Sequence, residues 1–135
     1  MNIEDLVDDW LTVPDLAEAL GTTPGSVRSI VSDRRVVGAK VGERRVFQVP
    51  ARFVVTRGED SVAAGQSRPG ADDDPRKVVL SSLAGTIGVL TDLRFDDLEI
   101  LEWLFSPDDA LGAKPIDALM SGRKAEVRRV AQTLG

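Results

Sequence analysis

The chain contains no cysteine, no histidine and no tyrosine, and its aromatic residues are two tryptophans and four phenylalanines among 135 residues. Without cysteine there are no disulfides and no thiolate metal sites. Without histidine the usual general base and the commonest zinc ligand are missing. Most enzyme chemistry is excluded, and the expectation is a protein that is not an enzyme and uses neither cofactor nor metal. No apolar run approaches the roughly 18 residues of a membrane span, and the acidic N-terminus MNIEDLVDDWL has no basic, apolar leader. A soluble, cytoplasmic protein with no membrane partner is expected. The length suits one ordinary domain, or two small ones sharing a core.

The net charge is −5 at pH 7, but it is unevenly spread. Residues 1–57 hold eight basic and eight acidic side chains, residues 58–77 three and five, and residues 78–135 six and nine. Residues 24–57 alone carry eight Arg or Lys against Asp33 and Glu43, a local +6. A basic segment in an acidic chain is an address for a polyanion.

That segment opens on two helix signals. Thr12 reads as an N-cap with Pro14 in the first turn, and Val13, Leu16, Ala17 and Leu20 repeat at helical spacing up to Gly21. Thr23 and Pro24 start a second helix, with Val27, Ile30 and Val31 inward and an end near Ser32 or Asp33. Two short helices joined by a Gly-containing turn form a helix-turn-helix pattern. The β-branched runs VVGAKV and RRVFQV then predict a hairpin. A two-residue Gly42-Glu43 turn pairs Val41 with Arg44 and Lys40 with Arg45; a three-residue turn places Val37, Ala39, Phe47 and Val49 on one face, and both registers remain open. Alternation along a strand lets at most one of Arg44 and Arg45 point back at the protein, and Arg44 is the one expected to face outward.

From Thr56 to Lys77 the sequence turns to Gly, Ser, Pro and Asp, which reads as a flexible linker. Asp72-Asp73-Asp74 lacks the spacing of a calcium loop. The remainder reads as helical: Leu80, Leu83, Ile87 and Leu90 on one face, then a helix from Asp96 or Asp97 with Trp103, Leu104 and Phe105, then two more ending in Val127, Val130, Ala131 and Leu134. The expected architecture is mainly α with a small β-hairpin wing: a winged helix-turn-helix over residues 1–57, a linker over 58–77 and a C-terminal helical domain over 78–135. Paired acids at Asp8-Asp9, Asp96-Asp97 and Asp108-Asp109 fall where carboxylates cap backbone N–H groups rather than where they catalyse.

Opposite the apolar face of the second helix lie Gly25, Ser29 and Ser32, flanked by Ser26 and Arg28. Small polar residues let a helix sink into the major groove while an arginine and hydroxyls reach base edges. An ordinary solvated face has a similar composition, as does an edge strand guarded by Lys and Arg. The helix pair followed at once by a basic hairpin is the more specific signal. It assigns double-stranded DNA as partner, with Ser26, Arg28 and Ser29 placed to read bases and Arg34, Arg35, Lys40, Arg44 and Arg45 to neutralise phosphates.

The stretch WLTVPDLAEALGTTPGSVRSIVSDRRVVGAKVGERRVFQVP, Trp10 to Pro50, resembles the winged helices of excisionase-like and MerR-like proteins. Outside the linker, the chain resembles a family of small actinobacterial winged helix-turn-helix DNA-binding proteins, typified by a mycobacterial Ser/Thr-kinase substrate. The residues that carry this are LRFDDLEILEWLFSPDDAL, Leu93 to Leu111, and KPIDALMSGRKAEVRRVAQ, Lys114 to Gln132. The resemblance implies DNA binding, as a transcriptional regulator or nucleoid-associated factor, through the second helix and the wing. Against that family the linker reads as longer, and no long Thr-bearing N-terminal tail is expected. WLFSPDDALGAKPIDALMSG, Trp103 to Gly122, is similar to the C-terminal region of Xre-type antitoxins. That likeness implies an alternative, an adaptor whose C-terminal helices bind a protein partner or a second copy of the chain.

Overall fold

Thr12 ends one element and starts another. In the computed structural model, which describes residues 3–63 and 77–134, a single helical turn α1 (Ile3–Leu6) and a short strand β1 (Trp10–Thr12) come first. The last residue of β1 then caps α2 (Val13–Leu20), its Oγ1 accepting from the Asp15 N–H at 3.3 Å. Gly21 sits in the left-handed region at φ 68° and ends α2, so the Gly21 and Thr22 amides return to the Glu18 and Ala17 carbonyls. Thr23 Oγ1 accepts from the Ser26 N–H and opens α3 (Pro24–Ser32).

The hairpin is β2 (Ala39–Val41) and β3 (Val46–Pro50), and β3 also pairs with β1, giving an antiparallel sheet of order β1-β3-β2. Val41 is opposite Val46 and Lys40 opposite Phe47, so both expected registers are wrong: four residues, Gly42 to Arg45, form the connection. The cause is backbone conformation. Gly42 (φ 81°) and Arg45 (φ 53°) both lie in the left-handed region, and the Arg45 N–H donates to the Gly42 carbonyl at 3.1 Å. Strand alternation therefore does not govern the two arginines, and both are exposed.

A 3-10 turn (Ala51–Phe53) leads to β4 (Val54–Thr56), which pairs with β5 (Lys77–Val79) in a second sheet, Thr56 facing Lys77. Between them α4 (Arg57–Ala63) begins with a reciprocal cap, in which Thr56 and Glu59 each accept the other's backbone N–H through a side-chain oxygen. The stretch read as a linker, 58–77, thus starts inside a helix and ends in a strand; residues 64–76, with Asp72 to Asp74, lie outside the described residues. The helices α5 (Leu83–Asp92), α6 (Asp97–Leu104), α7 (Pro115–Met120) and α8 (Lys124–Gln132) follow. Asp96 and Glu99 form a full capping box at α6. The fold is mainly α with small antiparallel sheets, and among the described residues no helix is long and apolar enough to cross a membrane.

Residues of the two expected domains share one apolar cluster. Leu16, Val27, Val37 and Val49 belong to it together with Leu83, Ile87, Leu90, Leu101 and Leu104. At the junction the Phe53 and Phe105 rings lie 5.8 Å apart at 41°. Leu104 and Phe105 are buried and Trp103 is half-buried, its indole N–H donating to Asp108 at 3.3 Å, so this apolar run packs within the chain.

Two glycines in α5 have different surroundings. A side chain at Gly85 meets the Arg128 guanidinium, whereas one at Gly88 meets nothing within 4 Å. Gly88→Ala is expected to stabilise the protein by about 1 kcal/mol, the helix-propensity difference between the two residues, and to raise the thermal midpoint by a few degrees. A melt followed by circular dichroism checks this, and a lowered midpoint contradicts it.

Candidate nucleic-acid interface

The outer face of α3 is built as its sequence suggests. Val27 is buried and Ile30 and Val31 are half-buried against the core, while Gly25, Ser26, Arg28, Ser29 and Ser32 are all exposed. The hydroxyls are held locally: Thr23 Oγ1 donates to Ser26 Oγ at 3.2 Å, and Ser29 Oγ donates to the Gly25 carbonyl at 3.4 Å. Each hydroxyl oxygen keeps accepting capacity toward a ligand. The arginine between them, Arg28, has no ion-pair partner among the described residues. The face therefore presents hydroxyls close to the backbone and one long free cation.

Arg34 is placed differently from its expected role at a phosphate. It occupies the left-handed region at φ 62°, just beyond the α3 cap, where an ordinary side chain costs roughly 1–2 kcal/mol. Its guanidinium turns toward the C-terminal helices, donating to Asp97 at 2.7 Å and to Thr91 Oγ1 at 3.1 Å. Both members of the ion pair are about two-fifths exposed, so its net contribution is small, about 0–1 kcal/mol. What the contact fixes is direction: it ties the end of α3 to the α5–α6 corner.

The other predicted cations are exposed and free of ion pairs among the described residues: Arg35 after α3, Lys40 on the edge strand β2, and Arg44 and Arg45 in the hairpin connection. Besides Glu43 of the connection itself, the Glu4 carboxylate of α1 stands close to them, accepting from the Gly42 N–H at the base of that connection. The root of the hairpin is tight. Phe47 lies over Gly38, where a Cβ would fall 2.7 Å from the ring's Cζ and against the Gln48 carbonyl.

Sequence reasoning missed one cation at this surface. Lys77, assigned to the linker, heads β5 and borders a groove shared with Thr22, Ser26 and Arg35. No local signal marks it, because its position depends on the non-local pairing of β5 with β4. At the start of α8, Arg123 and Glu126 form a close pair at 2.7 Å, and their mutual hydrogen bond raises the Arg123 pKa and lowers that of Glu126. Arg123 also donates to the Leu111 carbonyl at 2.9 Å, a tie across the start of α8. Among the described residues no group of three or more acids could hold a metal ion.

Residues 80–135 match the family model described as the Rv2175c C-terminal domain of unknown function. The motifs from Leu93 to Leu111 and from Lys114 to Gln132 lie inside that match. The chain is 37% identical over 68 residues to the protein named DNA-binding protein Rv2175c of Mycobacterium tuberculosis (strain ATCC 25618 / H37Rv), an alignment covering 42% of this chain. It spans about half, 47%, of that curated relative's length. The fold is similar to the NMR structure of Rv2175c, with a TM-score of 0.68 and 27% identity over 93% of this chain and 80% of that one.

Proposed function

We propose that this chain is a member of the Rv2175c family and binds double-stranded DNA as a winged helix-turn-helix protein, acting as a transcriptional regulator or nucleoid-associated factor. The observation that carries the reading is the pairing of a small, polar, exposed α3 face with a hairpin whose Arg44 and Arg45 are exposed and, among the described residues, free of ion pairs. In this reading α3 enters the major groove, where Arg28 donates to a guanine edge and Ser26 and Ser29 reach bases or the adjacent phosphates. Arg35, Lys40, Arg44 and Arg45 neutralise the backbone. Arg34 is left out of that set, because its guanidinium is already held by Asp97 and Thr91. The name of the mycobacterial relative supports the same partner. Binding is non-covalent and cofactor-free, with residues 1–57 forming the DNA-binding unit and residues 78–135 its helical support.

The adaptor alternative finds less support. Leu104, Phe105, Ile116 and Leu119 are buried, and the exposed large hydrophobic residues among those described are Val46, Leu98 and Leu134, each on a different element or terminus.

Duplex affinity measured over a salt series tests the proposal. Arg44→Ala and Arg45→Ala are each expected to weaken binding on many sequences alike and to lower the salt-dependence slope by about 1, while Arg28→Ala relaxes sequence preference. Unchanged affinity and slope in both hairpin variants removes the wing from the mechanism.

A further inference from the structure

Resting on the DNA reading, we infer that Lys77 and Arg35 form a second phosphate-binding edge, in a groove between α3 and β5 that shares no lining residue with the groove beside Lys40 and Arg45. The groove holds about 360 Å³. Its floor is apolar, made by Leu20, Ile30 and Val78, which are half-buried; its rim is the exposed set Thr22, Ser26, Arg35 and Lys77. Among the described residues no carboxylate lines it. The neighbouring groove on the other side of Lys77 differs, being lined by Asp15 and Glu18 of α2. Lys77 thus borders both an acidic groove and one whose polar lining, among the described residues, is cations and hydroxyls.

That second groove is continuous with the proposed recognition face through Ser26. A helix seated in the major groove has a phosphate strand along each side, and the positioning contacts come from residues flanking the helix. Thr22 in the turn before α3, Arg35 after its end and Lys77 beside it bracket the helix along one such side. The apolar floor suits the stems of the two cations, which can lie on it while their charged ends reach outward. Neither cation is in an ion pair among the described residues, so a phosphate displaces no partner among them.

A different role for Lys77 is to guard the edge of a two-stranded sheet against pairing with another chain. A guard leaves the salt dependence of DNA binding untouched, whereas a phosphate ligand does not. The experiment is a fluorescence-anisotropy salt titration of the full chain on a random-sequence duplex, comparing the unsubstituted protein with Lys77→Ala, Lys77→Arg, Arg35→Ala and, as a control for net charge, Lys124→Ala on α8. Lys77→Ala and Arg35→Ala are expected to lower the slope by about 1 each and weaken binding severalfold, with Lys77→Arg retaining both and Lys124→Ala changing neither. An unchanged slope in Lys77→Ala, with the unsubstituted chain binding normally, overturns the groove while leaving the DNA reading intact. An equal loss in Lys124→Ala also overturns it, since the effect is then net charge. Failure of the unsubstituted chain to bind overturns the DNA reading and the groove together.

Discussion

Replacing Phe53 by alanine is expected to destabilise the protein by about 3–5 kcal/mol, the usual cost of emptying a fully buried aromatic site. Phe53 has 0% exposure, its ring meets Phe105 at 5.8 Å, and its carbonyl accepts from the Leu80 N–H at 2.9 Å. Domains of ordinary stability have only about 5–15 kcal/mol in hand, so much of the total is lost. Because Phe53 joins the two halves of one core, both should lose stability together. Trp10 on β1 and Trp103 on α6 give one fluorescent reporter in each half. Urea unfolding of Trp10→Phe and Trp103→Phe backgrounds, with and without Phe53→Ala, should show a midpoint lowered equally in both. A shift confined to one reporter contradicts a shared core.

Gly38→Ala carries the second large effect, about 1–3 kcal/mol of overpacking. The new methyl meets the Phe47 ring, which can turn aside, and the Gln48 carbonyl, which belongs to the central strand β3 and cannot. Relief requires β2 to move relative to β3, which displaces Lys40 and the hairpin connection while leaving the caps of α2 and α3 alone. The expected result is a lowered thermal midpoint together with weakened duplex binding at retained helix content. A variant with unchanged midpoint and affinity shows that the hairpin root has more room than its packing indicates.

Much of this fold is legible because the informative chemistry is local. Thr12, Gly21, Thr23 and Pro24 bound α2 and α3 where their capping preferences place them, since a cap is decided within four residues. Thr56 and Glu59 carried the same kind of signal, but the Gly- and Asp-rich composition around them suggested a linker and hid α4. The strands were harder. β1 is three residues long and doubles as a helix entry, while β5 exists only through its pairing with β4, which no local pattern states. The hairpin register failed for a different reason: Arg45 adopts a left-handed conformation that side chains seldom take, so residue type pointed to a shorter turn. In the candidate site, exposure of Ser26, Arg28, Ser29, Arg35, Lys40, Arg44 and Arg45 agrees with the sequence pattern. Arg34 shows the limit of that pattern, because a basic cluster read along the chain does not reveal which member a distant aspartate holds.

The pairing of Thr56 with Lys77 sets the two ends of a sequence excursion, residues 57–76, side by side. Closing such an excursion becomes costlier by only about 0.6 kcal/mol for each doubling of its length. Added length between β4 and β5 is therefore thermodynamically cheap. An insertion there would enlarge a loop already closed by β4 and β5, at little cost to the core that holds α3 and the hairpin.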